Sequence, residues 1–369
     1  MNQLFRWDQT GLFLLALAAG ILPFAVPEVC AAALREGLTL CSGPLLLSLF
    51  PFLVVSRLLI QCPESDLLAL PFRLAAWGIG IRTPCAARVL CIGFLGGFAP
   101  AASAAAQAVR TGQLTAEEAD ALLPACICSG PSFVVLTVGQ SLLGSAELGV
   151  LLFASQITAN YLTAALLNRF AGVRSVKPGS AAPASPAPPR LDEILADAAI
   201  TYCKLCGFIL FFRMLAAGAG ALLPAGAGIL CSILLEVCSG CDLASRTGRW
   251  GSLLCCAALS VQGLSVLLQV RTICPPEMTL RPLYRARMLH LPLSLALFYL
   301  LLPGGEADVF STLPARVLLM RRVPPDCALL VFAVCCMAAC TLRSGIRQVE
   351  QKQMARNAGG CCINSKTLL

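Results

Sequence analysis

The sequence has a single histidine, His290, among 369 residues, and only 12% of its residues are charged. One histidine leaves no Cys/His or Ser/His/Asp arrangement of the kind that nucleophilic enzymes use, so we expect no enzyme, no catalytic residue and no cofactor. A hydrophobic share of 58% and a mean hydropathy of +0.81 exclude a soluble domain of this length. The chain is therefore predicted to be an all-α, polytopic integral membrane protein embedded in a lipid bilayer.

Apolar runs of roughly spanning length recur along the chain, and shorter or broken ones lie between them. The longer runs are 11–27, 40–61, 88–109, 146–168, 194–217, 251–270, 284–302 and 327–342, and the shorter ones are 67–81, 121–142 and 225–241. We expect about 8–10 membrane segments, some of them broken or re-entrant. The Cys-Ala-Ala-Ala stretch after the first run would also suit signal-peptide cleavage, but the length of the run favours a retained helix.

Basic residues give the chain a net charge of +8, but they collect in loops and in the C-terminal tail. This distribution is typical of membrane topology and predicts no nucleic-acid partner. A segment rich in Pro, Ala and Ser is expected to be a cytoplasmic linker between two membrane halves. The predicted organisation is a membrane half at 1–170, the linker at 171–190, a second membrane half at 191–342 and a cytoplasmic tail at 343–369.

Twenty-one cysteines suggest either a disulfide framework or a metal site at first sight. Two C-x-x-C pairs occur, Cys203/Cys206 and Cys238/Cys241, and a four-thiolate zinc site would need both. The first pair lies inside the apolar run ITYCKLCGFILFF, where cysteine packs as a small hydrophobic residue. We therefore expect no metal site.

The two halves resemble each other in three segments that follow the same order. The matching pairs are 49–59 with 205–215, 95–101 with 238–244, and 128–136 with 261–269. The shared order favours an internal repeat, and we expect two inverted, transporter-like halves. Arg57 and Arg213 occupy equivalent places near the ends of apolar runs, where we expect their side chains to snorkel to the membrane interface.

Glycine and proline interrupt two neighbouring apolar runs, at GFLGGFAPAASA (93–104) and at CICSGPSFVV (126–135). Proline removes a backbone donor and disfavours helix in the residue before it, so both helices should break. Basic residues place both the loop at Arg88 and the linker on the cytoplasmic side, so the chain between them must cross the membrane an even number of times. Three apolar runs lie in that stretch. One run should therefore not span fully, and broken helices at corresponding places in two halves are typical of a transporter's solute site.

Polar residues elsewhere in the runs have simpler interpretations. Thr115 and Glu118 predict a capping box at a helix start and no chemistry, for Glu118 or for its neighbour Glu117. Gln156 and Asn160 lie one turn apart on a predicted helix and are expected to join helices by hydrogen bonds. His290 follows several arginines and is expected at the membrane interface.

The Gly-rich turn, the Glu-Glu-Ala loop at 117–119, the Ser-Gly-Pro break and QGLSVLLQ (262–269) together resemble the sporulation integral membrane proteins of the YlbJ type. These carry the nucleoside-recognition, or Gate, domain. The likeness covers most of the chain, from the first helix to the one after His290. It implies a multi-pass protein of the cell membrane that acts in endospore formation. A small polar, nucleoside-like solute is an inference from the fold alone, and other sporulation membrane proteins are candidate partners.

The expected solute site consists of residues at the breaks and of polar side chains within the apolar runs. Glu236 is a carboxylate at the end of a membrane segment, which marks a functional candidate. Gln262 and Gln269 are seven residues apart and would share one helical face. The complete set is Gly96, Gly97, Phe98, Pro100, Ser129, Gly130, Pro131, Glu236, Gln262, Gly263 and Gln269. A membrane scaffold that transports nothing is the alternative, because cysteine and alanine stand where the family would have polar residues.

Overall fold

The structure, a computed structural model, describes residues 9–61, 63–171 and 190–302, and every regular element in these ranges is a helix. The helices are α1 (Gln9–Ala25), α2 (Pro27–Ser42), α3 (Pro44–Gln61), α4 (Leu70–Gly78), α5 (Pro84–Gly96), α6 (Phe98–Arg110), α7 (Ala116–Cys126), a π-helix (Ser132–Leu142), α8 (Ala146–Ala171), α9 (Leu191–Leu222), α10 (Ala225–Leu235), α11 (Val237–Ser245), α12 (Gly251–Val261), α13 (Gly263–Ile273) and α14 (Arg281–Leu301). The all-α prediction is confirmed for this part of the chain. The predicted tail, the run at 327–342 and all but the ends of the predicted linker lie outside the described residues.

Four helical stretches are long and apolar enough to cross a membrane, which agrees with a multi-pass membrane protein. They are Pro27–Gln61, Ala146–Ala171, Leu191–Leu222 and Gly248–Ile273. The first of them includes α2, which the hydropathy pattern did not predict because Glu28, Arg35 and Glu36 lower its apolar character.

Four apolar helices are interrupted, and the physical cause differs at each interruption. Gly97, between α5 and α6, has φ 81° and ψ −164°, a backbone conformation essentially confined to glycine. After α7 the chain is extended at Ile127 and turns into the π-helix at Pro131. Glu236 is extended between α10 and α11. Gln262 adopts the left-handed conformation between α12 and α13, with φ 62°.

The three-segment sequence match places the third interruption incorrectly. It pairs the Gly97 turn with Gly240, but Gly240 lies inside α11, buried against the backbone of Ile233. The interruption of the second half falls at Glu236 instead. A glycine match between apolar segments cannot by itself distinguish a turn from close helix packing, because both require the absence of a side chain.

Helices α2 and α3 together run antiparallel to α9 and join the first half of the chain to the second. Arg57 on α3 pairs with Asp197 near the start of α9, at 2.6 Å between Nη1 and Oδ2. Arg213, toward the end of α9, pairs with Glu36 on α2, at 2.8 Å between Nη2 and Oε2. Between these pairs, the Tyr202 hydroxyl donates to the carbonyl of Cys41.

These ion pairs correct the prediction that Arg57 and Arg213 snorkel to the interface. Both arginines are buried, at 8% and 9% exposure, whereas their carboxylate partners remain more than half exposed. Each arginine pairs with an acid from the other half of the chain. The sequence shows the equivalent positions of the arginines but not the partners, which lie 140 and 177 residues away.

Helix α6 lies near the centre of the fold because it is built almost entirely of small residues. Its buried alanines allow α3, α5, α7 and α13 to pack around it, since small side chains permit close helix approach. Its first residue, Phe98, is thereby held at the Gly97 turn.

The predicted capping box of α7 is confirmed: the Thr115 hydroxyl accepts from the Glu118 N–H, and the Glu118 carboxylate accepts from the Thr115 N–H.

Helix α14 is tied to the first half of the chain by a buried carboxylate and a polar cluster. Asp120 on α7 accepts hydrogen bonds from the N–H groups of Thr279 and Leu280, just before α14 begins. Gln156 on α8 donates to the hydroxyl of Ser260 on α12 at 2.9 Å. The prediction that His290 is interfacial is wrong, because its ring is 1% exposed and its Nε2 lies 3.2 Å from the Gln156 carbonyl.

The Arg57–Asp197 pair yields a stability prediction. Asp197→Asn should destabilise the full-length protein by about 1 kcal/mol, because the buried guanidinium loses its countercharge. When Arg57→Met is already present, Asp197→Asn should lower the stability much less. Thermal unfolding of the wild type, the two single variants and the double variant in detergent measures this difference as a double-mutant cycle. Asp192→Asn, in the exposed pair with Arg190, is the control and should be nearly neutral. Additive effects of Arg57→Met and Asp197→Asn would contradict the pairing.

Candidate functional site

The two interruptions of the first half touch each other through their backbones. A methyl group added at Gly97 would lie 2.7 Å from the N atom of Gly130 and 3.0 Å from its Cα atom. Real side chains do not tolerate such distances, so only glycine fits at this contact. The Gly97 turn and the Ser-Gly-Pro break therefore form one junction.

The two interruptions of the second half form a matching junction. A methyl group at Gly263 would lie 2.9 Å from the N atom of Glu236 and 2.9 Å from the Leu235 carbonyl oxygen, and Gly263 has φ 69°. Both the space and the backbone conformation therefore require glycine at this position. Each half thus contributes one pair of broken helices joined at a glycine.

A cavity lies where the two junctions face each other. It is small: the centres of water-sized molecules have about 50 Å³ of room in it, and one side is open. Six of the predicted site residues line it: Gly96, Phe98, Ser129, Gly130, Glu236 and Gln269. The rest of its wall is mainly apolar and comes from α3, the π-helix, α9, α11 and α13.

The other five predicted site residues lie behind this wall. Gly97 contacts Gly130 at the first junction, and Pro100 packs beside Gly96 one turn into α6. Pro131 begins the π-helix. Gln262 and Gly263 belong to the second junction, which faces the first half of the chain. These residues shape the breaks and do not line the cavity.

Glu236 lines the cavity, but its carboxylate is already occupied. Its Oε1 accepts from the N–H of Cys238 at 2.9 Å, and its Oε2 accepts from the N–H and hydroxyl of Ser239 at 2.7 and 2.9 Å. The carboxylate caps α11, where the helix dipole also favours a negative charge. Glu236 therefore holds the N-terminal end of a half-helix at the cavity.

Gln262 and Gln269 do not share a helical face, because the left-handed turn at Gln262 separates α12 from α13. Gln262 points its amide to the Ile127 carbonyl, with 3.4 Å between Nε2 and O. Gln269 remains at the cavity and donates from Nε2 to the Ser265 hydroxyl at 2.9 Å. The Gln269 side-chain oxygen is buried and has no hydrogen-bond partner within the described residues. It is an acceptor without a partner, on a residue that lines the cavity.

The sequence patterns did not predict that three side chains would meet at one carbonyl, and they did not single out Arg287. The Ile127 carbonyl, at the end of α7, accepts from Asn160 on α8, from Gln262, and from Arg287 on α14, the last at 2.6 Å. Asn160 was expected to join helices, as it does. Arg287 gave one signal that could have been used: it precedes His290 by three residues, so both lie on the same face of the predicted helix.

No family model, curated protein or solved structure matches this chain. The cavity geometry is therefore the observation that bears on its function.

The contact between Gly97 and Gly130 predicts a position-specific effect of alanine. Gly97→Ala should destabilise the protein by about 2 kcal/mol or more, because the methyl group meets rigid backbone in a strained conformation. Gly112→Ala also has positive φ but open space around it, so it isolates the backbone strain. Gly207→Ala lies in α9 with open space and should be neutral or slightly stabilising. Unfolding temperatures in detergent rank the three variants by stability. Equal losses of stability for Gly97→Ala and Gly112→Ala would contradict the close contact between Gly97 and Gly130.

Proposed function

We propose that this protein binds a small polar solute in the cavity between its broken helices and moves it across, or senses it at, the cell membrane. The observation that carries the proposal is the free, buried acceptor of Gln269 in a cavity at which three helix interruptions meet. A buried acceptor without a partner costs free energy in the empty protein. A bound solute that donates a hydrogen bond would recover it.

The order of helices supports two inverted repeats. In the first half a long helical stretch, α2–α3, precedes the broken pairs α5/α6 and α7/π-helix and then the long α8. In the second half the long α9 precedes the broken pairs α10/α11 and α12/α13 and then α14. The first members of the two sets, α2–α3 and α9, run antiparallel, as inverted halves require. Solute sites of transporters with this organisation lie between the halves, at discontinuous helices.

The walls of the cavity define the class of solute. Phe98, Phe133 and Val266 offer apolar contact area, whereas Ser129 and Gln269 offer hydrogen bonds. A compact solute with an apolar or aromatic body and at least one hydrogen-bond donor would fit both. A nucleoside-like molecule meets this description and is also what the resemblance to YlbJ-type proteins implies. That resemblance supports a role in endospore formation with other membrane proteins of sporulation.

The alternative is a membrane scaffold that recruits sporulation partners and transports nothing. One observation favours it: the Glu236 carboxylate is fully engaged in capping α11, so the cavity has fewer free polar groups than its composition suggests. The free acceptor of Gln269 favours solute binding over the scaffold.

The test is uptake and binding by the purified full-length protein in liposomes, with a panel of labelled nucleosides and other small polar solutes. Val266→Trp places a large side chain at the cavity wall and should reduce uptake and binding by more than about tenfold. Leu234→Trp, on the exposed face of α10, is the matched control and should behave as the wild type. Leu234→Trp should keep the unfolding temperature of the wild type, whereas Val266→Trp crowds a buried position and should lower it, so uptake and binding are compared per amount of folded protein.

The two functions separate clearly in this experiment. If the wild type neither binds nor takes up any solute of the panel, and Val266→Trp still supports sporulation fully in cells, solute binding is wrong and the scaffold is favoured.

A further inference from the structure

Arg287 is a buried cation at the point where the broken helices of the two halves meet. It is 7% exposed, and its guanidinium donates to the Ile127 carbonyl at 2.6 Å and to the Ser260 carbonyl at 3.3 Å. Ile127 ends α7 in the first half, and Ser260 lies in the last turn of α12 in the second half. One side chain therefore joins the carboxyl ends of two half-helices.

The charge of Arg287 is balanced by helix ends and not by an acid. Within the described residues, no carboxylate forms an ion pair with it. Arg57 and Arg213, which are about equally buried, each have a carboxylate partner. The carboxyl end of a helix carries a partial negative charge, and two such ends converge on Arg287.

The surroundings of Arg287 are rich in oxygen. The Ile127 carbonyl also receives the side-chain amides of Asn160 and Gln262, each at 3.4 Å. The side-chain oxygens of these two residues are buried and have no hydrogen-bond partner in the described part of the chain. Two backbone carbonyls therefore accept from the guanidinium, and the two residues that share the Ile127 carbonyl with it carry further unpaired neutral oxygens. Backbone carbonyls of this kind are the ligands that monovalent cations use in proteins.

We propose that Arg287 is a built-in cation, which takes the place of a bound sodium or potassium ion between the carboxyl ends of α7 and α12. In transporters with discontinuous helices, unwound carbonyls and half-helix carboxyl ends bind coupling ions. Here the positive charge is covalently attached, so the two halves are held together without a metal ion. The consequence for transport rests on the proposed function: solute uptake requires no sodium gradient.

The first measurement uses the wild-type protein. Its unfolding temperature is compared in sodium, potassium and choline chloride at equal concentration, without added solute. The three values should agree, because Arg287 already fills the site. A specific rise in sodium or potassium over choline would overturn the proposal.

The second measurement removes the charge. Arg287→Ala and Arg287→Gln should lower the unfolding temperature in choline chloride, because the carbonyl ends lose their cation. Sodium, potassium or millimolar guanidinium should then raise it by about 2 °C per tenfold increase in concentration, as expected for a ligand that binds the folded state. Arg213→Ala, which removes an arginine of similar burial that pairs with a carboxylate, is the matched control and should show no such response.

The outcomes decide the proposal without reference to transport. Recovery of the Arg287 variants by a small cation, or folding of these variants only when such a cation is present during purification, supports it. Variants that fold with no response to any of the cations, or that fail to fold in all of them, overturn it. The proposed function would fail separately, through absence of solute binding in the wild type.

Discussion

The structure depends on how it satisfies the backbone carbonyl of Ile127. Helix α7 ends there inside an apolar protein, and a carbonyl without a partner in such surroundings costs several kcal/mol by order of magnitude. Asn160, Gln262 and Arg287 all donate to this one atom, and they come from α8, from the turn before α13 and from α14. A helix break in the first half is therefore stabilised mainly by side chains of the second.

The same requirement explains the glycines and the acids at the other interruptions. Gly97 and Gly263 allow backbone to contact backbone, so that no side chain stands between the two breaks of a half. Glu236 satisfies the free N–H groups at the start of α11, and Asp120 does the same before α14. The half-helix ends are thus fixed by groups of the protein itself. A preorganised site of this kind spends little free energy on ordering when it binds a ligand.

Much of the candidate site could be predicted from the sequence, because glycine and proline have strong local effects on a helix. Ser129-Gly130-Pro131 and the Gly96-Gly97 pair mark real interruptions, and six of the eleven predicted residues line one cavity. The roles of the polar side chains could not be predicted in the same way. Gln262 and Gln269 were expected on one helical face, but a left-handed residue lies between their helices. His290 and Arg213 were assigned to the interface, although both are buried against partners distant in sequence.

The sequence by itself determined that the chain is helical, apolar enough for a membrane and broken at particular glycines and prolines. These properties depend on composition and on neighbours along the chain, which the sequence contains directly. Only the tertiary structure decided that Arg57 pairs with Asp197, that Gln269 keeps a free acceptor at a cavity, and that Arg287 joins two helix ends. The contacts of Arg57 with Asp197 and of Arg287 with Ile127 connect residues more than a hundred positions apart, and their energies depend on burial and distance, which only the folded chain defines.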